Sequence, residues 1–183
     1  NPLCPGVFRR AATAVGGSIH AAELALAGRV VCHPSGGTHH GRPDRASGFC
    51  YFNDPVFAVL TFLAAGIERV LYVDLDAHHG DGVQDAFAAD DRVLTVSIHE
   101  EKRWPHSGLV EDRAAGLARN LPVPRGFNDS SANTFGVASC SSVRILLGIV
   151  RNTAAAPRFW LNALTRNRAS PWISKEKSHS SVS

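Results

Sequence analysis

Val70-Leu71-Tyr72-Val73-Asp74-Leu75-Asp76-Ala77-His78-His79-Gly80-Asp81-Gly82-Val83-Gln84 passes from an apolar run into a cluster of ionisable groups. Val70 to Leu75 reads as a buried strand and Gly82 to Ala89 as a short helix, so the charged groups fall at the junction. In an extended strand Asp74, Asp76 and His78 project to one face, because side chains alternate with period two. A carboxylate and an imidazole two residues apart at a strand end suit one divalent cation. A solvated strand end with a polar turn is the plainer alternative. Burying three such groups unpaired beside Val-Leu-Tyr-Val is costly, which weighs towards the cation.

The flanking sequence supplies the rest of the architecture. Phe8 to Ala27 reads as a helix, weakened by Gly16-Gly17, and Arg29-Val30-Val31-Cys32-His33 as a short strand. Asn53-Asp54-Pro55 is a helix start, with Asp54 able to cap and Pro55 tolerated in the first turn. That helix runs through Val56, Val59, Leu60 and Leu63 to a stop at Gly66. Val93 to Ile98 is a further apolar strand. Helices and strands alternating at this spacing predict an α/β domain with a parallel sheet. Ligands of such sheets sit beyond the carboxyl ends of the strands, where the polar clusters after Val31, Val73 and Val96 fall.

With 183 residues, 44% hydrophobic and 19% charged, the chain is long enough for one domain with a sizeable core. This excludes a wholly disordered chain, a collagen and a coiled coil. No run of 18 apolar residues exists, so no membrane-spanning helix is expected. The opening Asn1-Pro2-Leu3-Cys4-Pro5 shows no cleavable signal, and no methionine occurs anywhere, which reads as a piece of a longer reading frame. Cys4, Cys32, Cys50 and Cys140 have no metal spacing and form no dense framework, as expected in a reducing, cytoplasmic setting.

The net charge of +3 conceals a break. Residues 1–129 carry 12 Lys/Arg against 15 Asp/Glu, whereas residues 130–183 carry 7 against 1. Serine rises from 5 in the first part to 11 in the second. Two compositions meet near Asp129-Ser130. The basic balance belongs to the tail, and seven scattered cations without interleaved aromatics make no case for a nucleic-acid surface.

Two more clusters bear on chemistry. Gly36-Gly37-Thr38-His39-His40-Gly41 places two imidazoles on a loop that glycines let approach a ligand closely. Alone it reads first as a flexible surface loop that happens to hold two histidines; Asp74 and Asp81 are candidates to orient them. In Ser47-Gly48-Phe49-Cys50-Tyr51-Phe52-Asn53-Asp54 an aromatic on a glycine loop suits a pocket wall, although Phe and Cys are more often core residues. Trp104-Pro105 suits an opposing wall, or is an ordinary half-buried Trp.

In order and spacing these segments, with Val93-Leu94-Thr95-Val96-Ser97-Ile98-His99 and Asn120-Leu121-Pro122-Val123-Pro124, resemble the zinc-dependent histone deacetylase family. The likeness covers residues 3–129 and is nearest to bacterial acetoin-utilisation proteins and acetylpolyamine amidohydrolases. It implies a three-layer, arginase/deacetylase-like parallel sheet flanked by helices, here incomplete and lacking later strands. It implies a hydrolase that removes acetyl groups from acetyl-lysine or acetylpolyamine. By this resemblance Asp76 and His78 match two of three zinc ligands, His40 the general base, and His39 the neighbouring histidine that stabilises developing charge. Asp74 and Asp81 match the carboxylates that orient the two histidines. Gly48, Phe49 and Trp104 match the substrate channel. Asp74, Ser97 and Ile98 match a potassium site, and Phe87, Asp90 and Val93 a second monovalent-cation site.

The resemblance also marks what is missing. The family's third zinc ligand is an aspartate on a later strand, and its oxyanion donor a tyrosine in a late glycine-rich loop. Between Ser130 and Lys175 there is no Asp or Glu, and the only tyrosines are Tyr51 and Tyr72. The expectation is that residues 130–183 are an unrelated, frameshifted and disordered basic tail, with an apolar helix over Val143 to Val150 as the alternative. The competing function is a non-catalytic truncated remnant with at most weak metal or partner binding. An arginase-type two-manganese site is disfavoured by the His39-His40 loop and the Ser-Gly-Phe-Cys segment.

Overall fold

The computed structural model describes residues 1–127 and the backbone of 145–148. Helix α1 spans Val7–Leu26 and α2 Asp54–Ala64. Strand β1 (Val70–Asp74) leads into the short helix α3 (Asp81–Ala86), and β2 (Val93–Glu100) follows. A 3-10 turn at Ala114–Gly116 precedes β3 (Ala118–Val123), and β4 is Ile145–Gly148. The sheet order is β3-β2-β1-β4. β1, β2 and β3 run parallel, whereas β4 lies antiparallel to β1.

Period two divides the sheet into faces. Val70 and Tyr72 of β1 and Val93 of β2 pack with Ala22 of α1, with Ala58, Val59 and Phe62 of α2, and with Val83 and Phe87 at α3. Val73, Leu94 and Val96, with Leu71 and Leu75 against them, form a second cluster. Burying a side chain such as Phe62 or Val59 stabilises by about 1.5–3 kcal/mol before the cost of ordering it. Among the described residues the helices gather on the face of Val70 and Tyr72, and no helix covers the other. The parallel sheet flanked by helices is therefore present, and the second helical layer of the three-layer expectation is not among the described residues.

Four local expectations need correction. Arg29–His33 forms no strand, and Val30 is fully exposed. A strand exists by pairing, and the edge of β1 that β2 leaves open is taken by β4. The cap of α2 is Asn53, whose side chain accepts from the Val56 N–H, while Asp54 is already helical. β1 ends at Asp74, so Asp76 and His78 belong to a turn and not to one face of an extended strand. The apolar segment read as an alternative helix over Val143 to Val150 contains a strand, Ile145–Gly148. The remainder of the expected tail lies outside the described residues. Gly16-Gly17 does not break α1.

Candidate functional site

Asp74 closes β1 on the helix-covered face, completely buried. A carboxylate in that position must be surrounded by donors. It accepts the Nδ1–H of His39 at 2.6 Å, the hydroxyl of Tyr72 at 2.8 Å and the backbone N–H of Asp76 at 3.0 Å. Burial, followed by the charge of Asp74, pushes the Tyr72 hydroxyl pKa well above its ordinary value. Burial acts to lower the His39 pKa, but the hydrogen bond and charge of Asp74, with Asp76 and Asp81 nearby, raise it. A carboxylate only accepts, so the His39 proton sits on Nδ1 and leaves Nε2 for the pocket.

His40 repeats the arrangement one residue on. Its Nδ1–H donates to Asp81 Oδ1 at 2.6 Å, and Arg42 donates to Asp81 Oδ2 at 2.7 Å and to Asp85. Burial works to raise Asp81, yet the bonds from His40 and Arg42 hold its pKa below the ordinary carboxylate value. Both imidazoles are buried, with ring centres 4.0 Å apart. The loop under them hangs on α2. Asp54 Oδ1 accepts from the N–H groups of Gly37 and Thr38 at 2.9 and 2.7 Å, and Asp54 Oδ2 accepts from Ser18 of α1 at 2.5 Å. The Asn53 amide donates to the carbonyls of His39 and Gly41, both at 3.0 Å. Gly82 is needed because a Cβ there would lie 2.6 Å from the His39 carbonyl.

After β1 the chain turns on its own carboxylates. Asp76 Oδ1 accepts the His78 N–H at 2.9 Å and lies 2.8 Å from His78 Nδ1. His39 Nε2 is 4.0 Å from the same oxygen. Burial would raise the Asp76 pKa, but the His78 bonds and the nearby imidazoles lower it. A carboxylate oxygen and an imidazole nitrogen paired in this way are donor types that a zinc ion would use. A catalytic zinc takes three protein ligands. Among the described residues no group of three His, Cys, Asp or Glu side chains could hold one. These residues alone therefore do not complete a zinc site. The other nearby histidines are engaged elsewhere: His33 bonds the Ala14 carbonyl at 3.1 Å, and His99 bonds Ser97 and the Gly108 carbonyl.

Gly48 and Phe49 are the centre of a tight turn closed by Ser47 and Cys50, both at positive φ (52° and 62°). This backbone suits glycine and is strained for Phe49, which as a residue is 79% exposed instead of joining the core. Trp104 stands over His40, ring centres 4.7 Å apart, and 6.1 Å from the ring of His78. A Cβ at Gly48 would meet the Trp104 ring at 2.5 Å and His40 at 2.6 Å. Register places Ser97 of β2 beside Asp74 of β1, with Ile98 next along the strand. The Phe87 and Asp90 carbonyls accept the Asp90 and Val93 N–H groups in a turn.

The site thus gathers His39, His40, Asp74, Asp76, His78 and Asp81 at the carboxyl end of β1, with Gly48 and Trp104 at its rim. Sequence reasoning did not single out Tyr72, Arg42 or Asn53 as supports. Tyr72 shares the parity of Asp74 on β1, which was the available signal; the Arg42 contact joins residues with no sequence signal.

Such a fold and site define an α/β protein with two histidine–carboxylate pairs and an Asp-x-His turn above a parallel sheet. The family model for the histone deacetylase domain matches residues 1–139, and the chain belongs to that family. It is 43% identical over 136 residues to histone deacetylase 8 of Xenopus tropicalis, covering 70% of this chain and 37% of that protein. It is also 43% identical over 133 residues to the acetoin utilization protein AcuC of Staphylococcus aureus, covering 68% and 34%. The crystal structure of an HDAC homolog from Aquifex aeolicus superposes with TM-score 0.66 at 39% identity, over 71% of this chain and 37% of that one. A structure of an HDAC homolog complexed with SAHA matches equally, at TM-score 0.66. The chain spans well under half the length of these relatives.

Proposed function

We propose that this chain carries the proton-transfer half of a zinc-dependent deacetylase centre, for acetyl-lysine or acetylpolyamine amides in a cytoplasmic setting. The carrying observation is the pair of buried dyads, His39–Asp74 and His40–Asp81, each closed at 2.6 Å, beside the Asp76–His78 turn. His40, its Nδ1 proton fixed on Asp81, has Nε2 free to take a proton from an attacking water. His39, with its pKa raised, is suited to stabilise developing charge and return a proton to the leaving amine. Asp76 and His78 are two of three ligands for a zinc ion, which supplies Lewis acidity when bound. Asp74, Ser97 and Ile98 are assigned to a potassium ion. Phe49 and Trp104, beside Gly48, are assigned to the walls along which the acyl-lysine stem would lie.

A second reading, a remnant without turnover, is favoured by a specific finding. The chain has two tyrosines. Tyr72 is buried on Asp74 and the Tyr51 hydroxyl bonds the Pro2 carbonyl, so neither is available as an oxyanion donor. Losing such a donor costs on the order of 100-fold in rate or more.

Zinc titration of the purified chain, with turnover of an acetyl-lysine peptide, tests both readings. Weak zinc binding that Asp76→Ala and His78→Ala abolish is expected, with turnover far below about 1 per second. Zinc binding indifferent to both substitutions would overturn the ligand assignment. Chelator-sensitive turnover near that rate would overturn the remnant reading.

A further inference from the structure

The segment from Glu101 to Val110 has one buried residue, Gly108, while Leu109 and Val110 are exposed and give it no apolar anchor. What holds it is polar. Gly108 sits at φ +79°, and a Cβ there would lie 2.6 Å from the ring of His79 and 2.7 Å from that of His99. The backbone thus lies flat on two buried imidazoles whose centres are 4.9 Å apart.

Hydrogen bonds give this contact a direction. His99 Nε2–H donates to the Gly108 carbonyl at 3.1 Å, so its Nδ1 accepts from the Ser97 hydroxyl at 2.9 Å. Gln84 Oε1 accepts from Asn120 at 2.8 Å and from His79 Nε2–H at 3.1 Å. His79 Nδ1 then accepts from the Ser107 hydroxyl at 2.8 Å. Gln84 Nε2 donates to Asp112 Oδ2 at 2.8 Å, and Asn120 donates to the Asp112 carbonyl at 3.0 Å. Every donor meets an acceptor when both imidazoles are neutral Nε2–H tautomers.

We propose that His79, His99 and Gln84 form a latch that grips Ser107, Gly108 and Asp112 and thereby sets where Trp104 stands over His40. These are positioning residues, and the proposal rests on the reading of Trp104 as one wall of an acyl-lysine channel. The latch fixes the distance between that wall and the Gly48-Phe49 turn.

The test uses the full chain with Trp160→Phe and Trp172→Phe, leaving Trp104 as the sole indole, and reads acrylamide quenching without metal or substrate. Ser107→Ala with Asp112→Ala should raise the quenching constant about twofold through local opening. Ser107→Thr with Asp112→Asn, which keeps both polar contacts, should restore it, and Glu111→Ala should leave it unchanged. Parent-like quenching in the double alanine chain with an unchanged circular dichroism spectrum would overturn the latch. Should that chain unfold, nitrogen-resolved NMR of the parent decides. His79 and His99 must both appear as Nε2–H tautomers, and an Nδ1–H form of either overturns the proposal. Because no turnover is read, failure of the latch is distinguishable from failure of the deacetylase reading, which the zinc titration tests separately.

Discussion

Replacing Asp54 should release the loop that carries the histidine pair. Its carboxylate is 2% exposed. It accepts the Gly37 N–H on both oxygens (2.9 and 3.1 Å), the Thr38 N–H (2.7 Å), and the hydroxyls of Thr38 and Ser18 (both 2.5 Å). In Asp54→Ala the hydroxyls can turn to other partners, but the two backbone donors cannot. A donor left unpaired in the interior costs about 1–3 kcal/mol, so the pair and the lost packing amount to roughly 3–5 kcal/mol. That is a large share of the roughly 5–15 kcal/mol that holds a domain folded. Asp54→Asn keeps one acceptor oxygen and offers Ser18 a donor in place of the other, so about 1–2 kcal/mol is expected. Urea unfolding of the three chains, with NMR of the His39 and His40 rings, measures both the energy and the release. Asp54→Ala within about 0.5 kcal/mol of the parent, rings undisturbed, would refute the reasoning.

Arg42→Gln should make the fold more acid-labile. The folded-state pKa of Asp81 is depressed, so its stabilisation is present above the unfolded value of about 3.9 and fades as pH falls through the folded value. Removing Arg42 lifts that folded pKa, and the midpoint of acid unfolding by circular dichroism should move to higher pH; an unmoved midpoint contradicts this. Gly80→Ala would press a Cβ against Asp74 Oδ2, which the hydrogen bonds from His39 and Tyr72 hold in place, while Asp74 Oδ1 accepts the Asp76 N–H. The expected result is loss of the downfield His39 Nδ1–H signal in proton NMR, and its persistence would show that Asp74 can yield. Ala115 sits at φ +54° in the 3-10 turn. Relief of about 1–2 kcal/mol of left-handed strain, less Gly's entropy of about 0.5–1, makes Ala115→Gly stabilising by about 0.5–1 kcal/mol in urea unfolding.

Elements that rest on short-range pattern were readable from the amino-acid order. The apolar periods of α1, α2, β1 and β2 follow from residue spacing, and the helix stop from the glycine at position 66, which takes the left-handed conformation open to glycine (φ +84°). The motif order that marks a deacetylase-family chain was readable as well, since it needs no contact map. Where pairing decides, sequence fell short. Arg29–His33 has the composition of a strand, but β4 occupies the edge of β1, and a ladder partner cannot be read from local propensity. Asn53 and Asp54 are both good caps; only the fold shows that Asn53 holds the helix end while Asp54 gathers donors from α1 and the glycine loop. His79 and His99 lie 20 positions apart and come together only in the folded sheet, where Gly108 lies against both rings. Local order can announce which groups are chemically able. Which proton each of them holds depends on long-range packing, and that the tertiary structure decided.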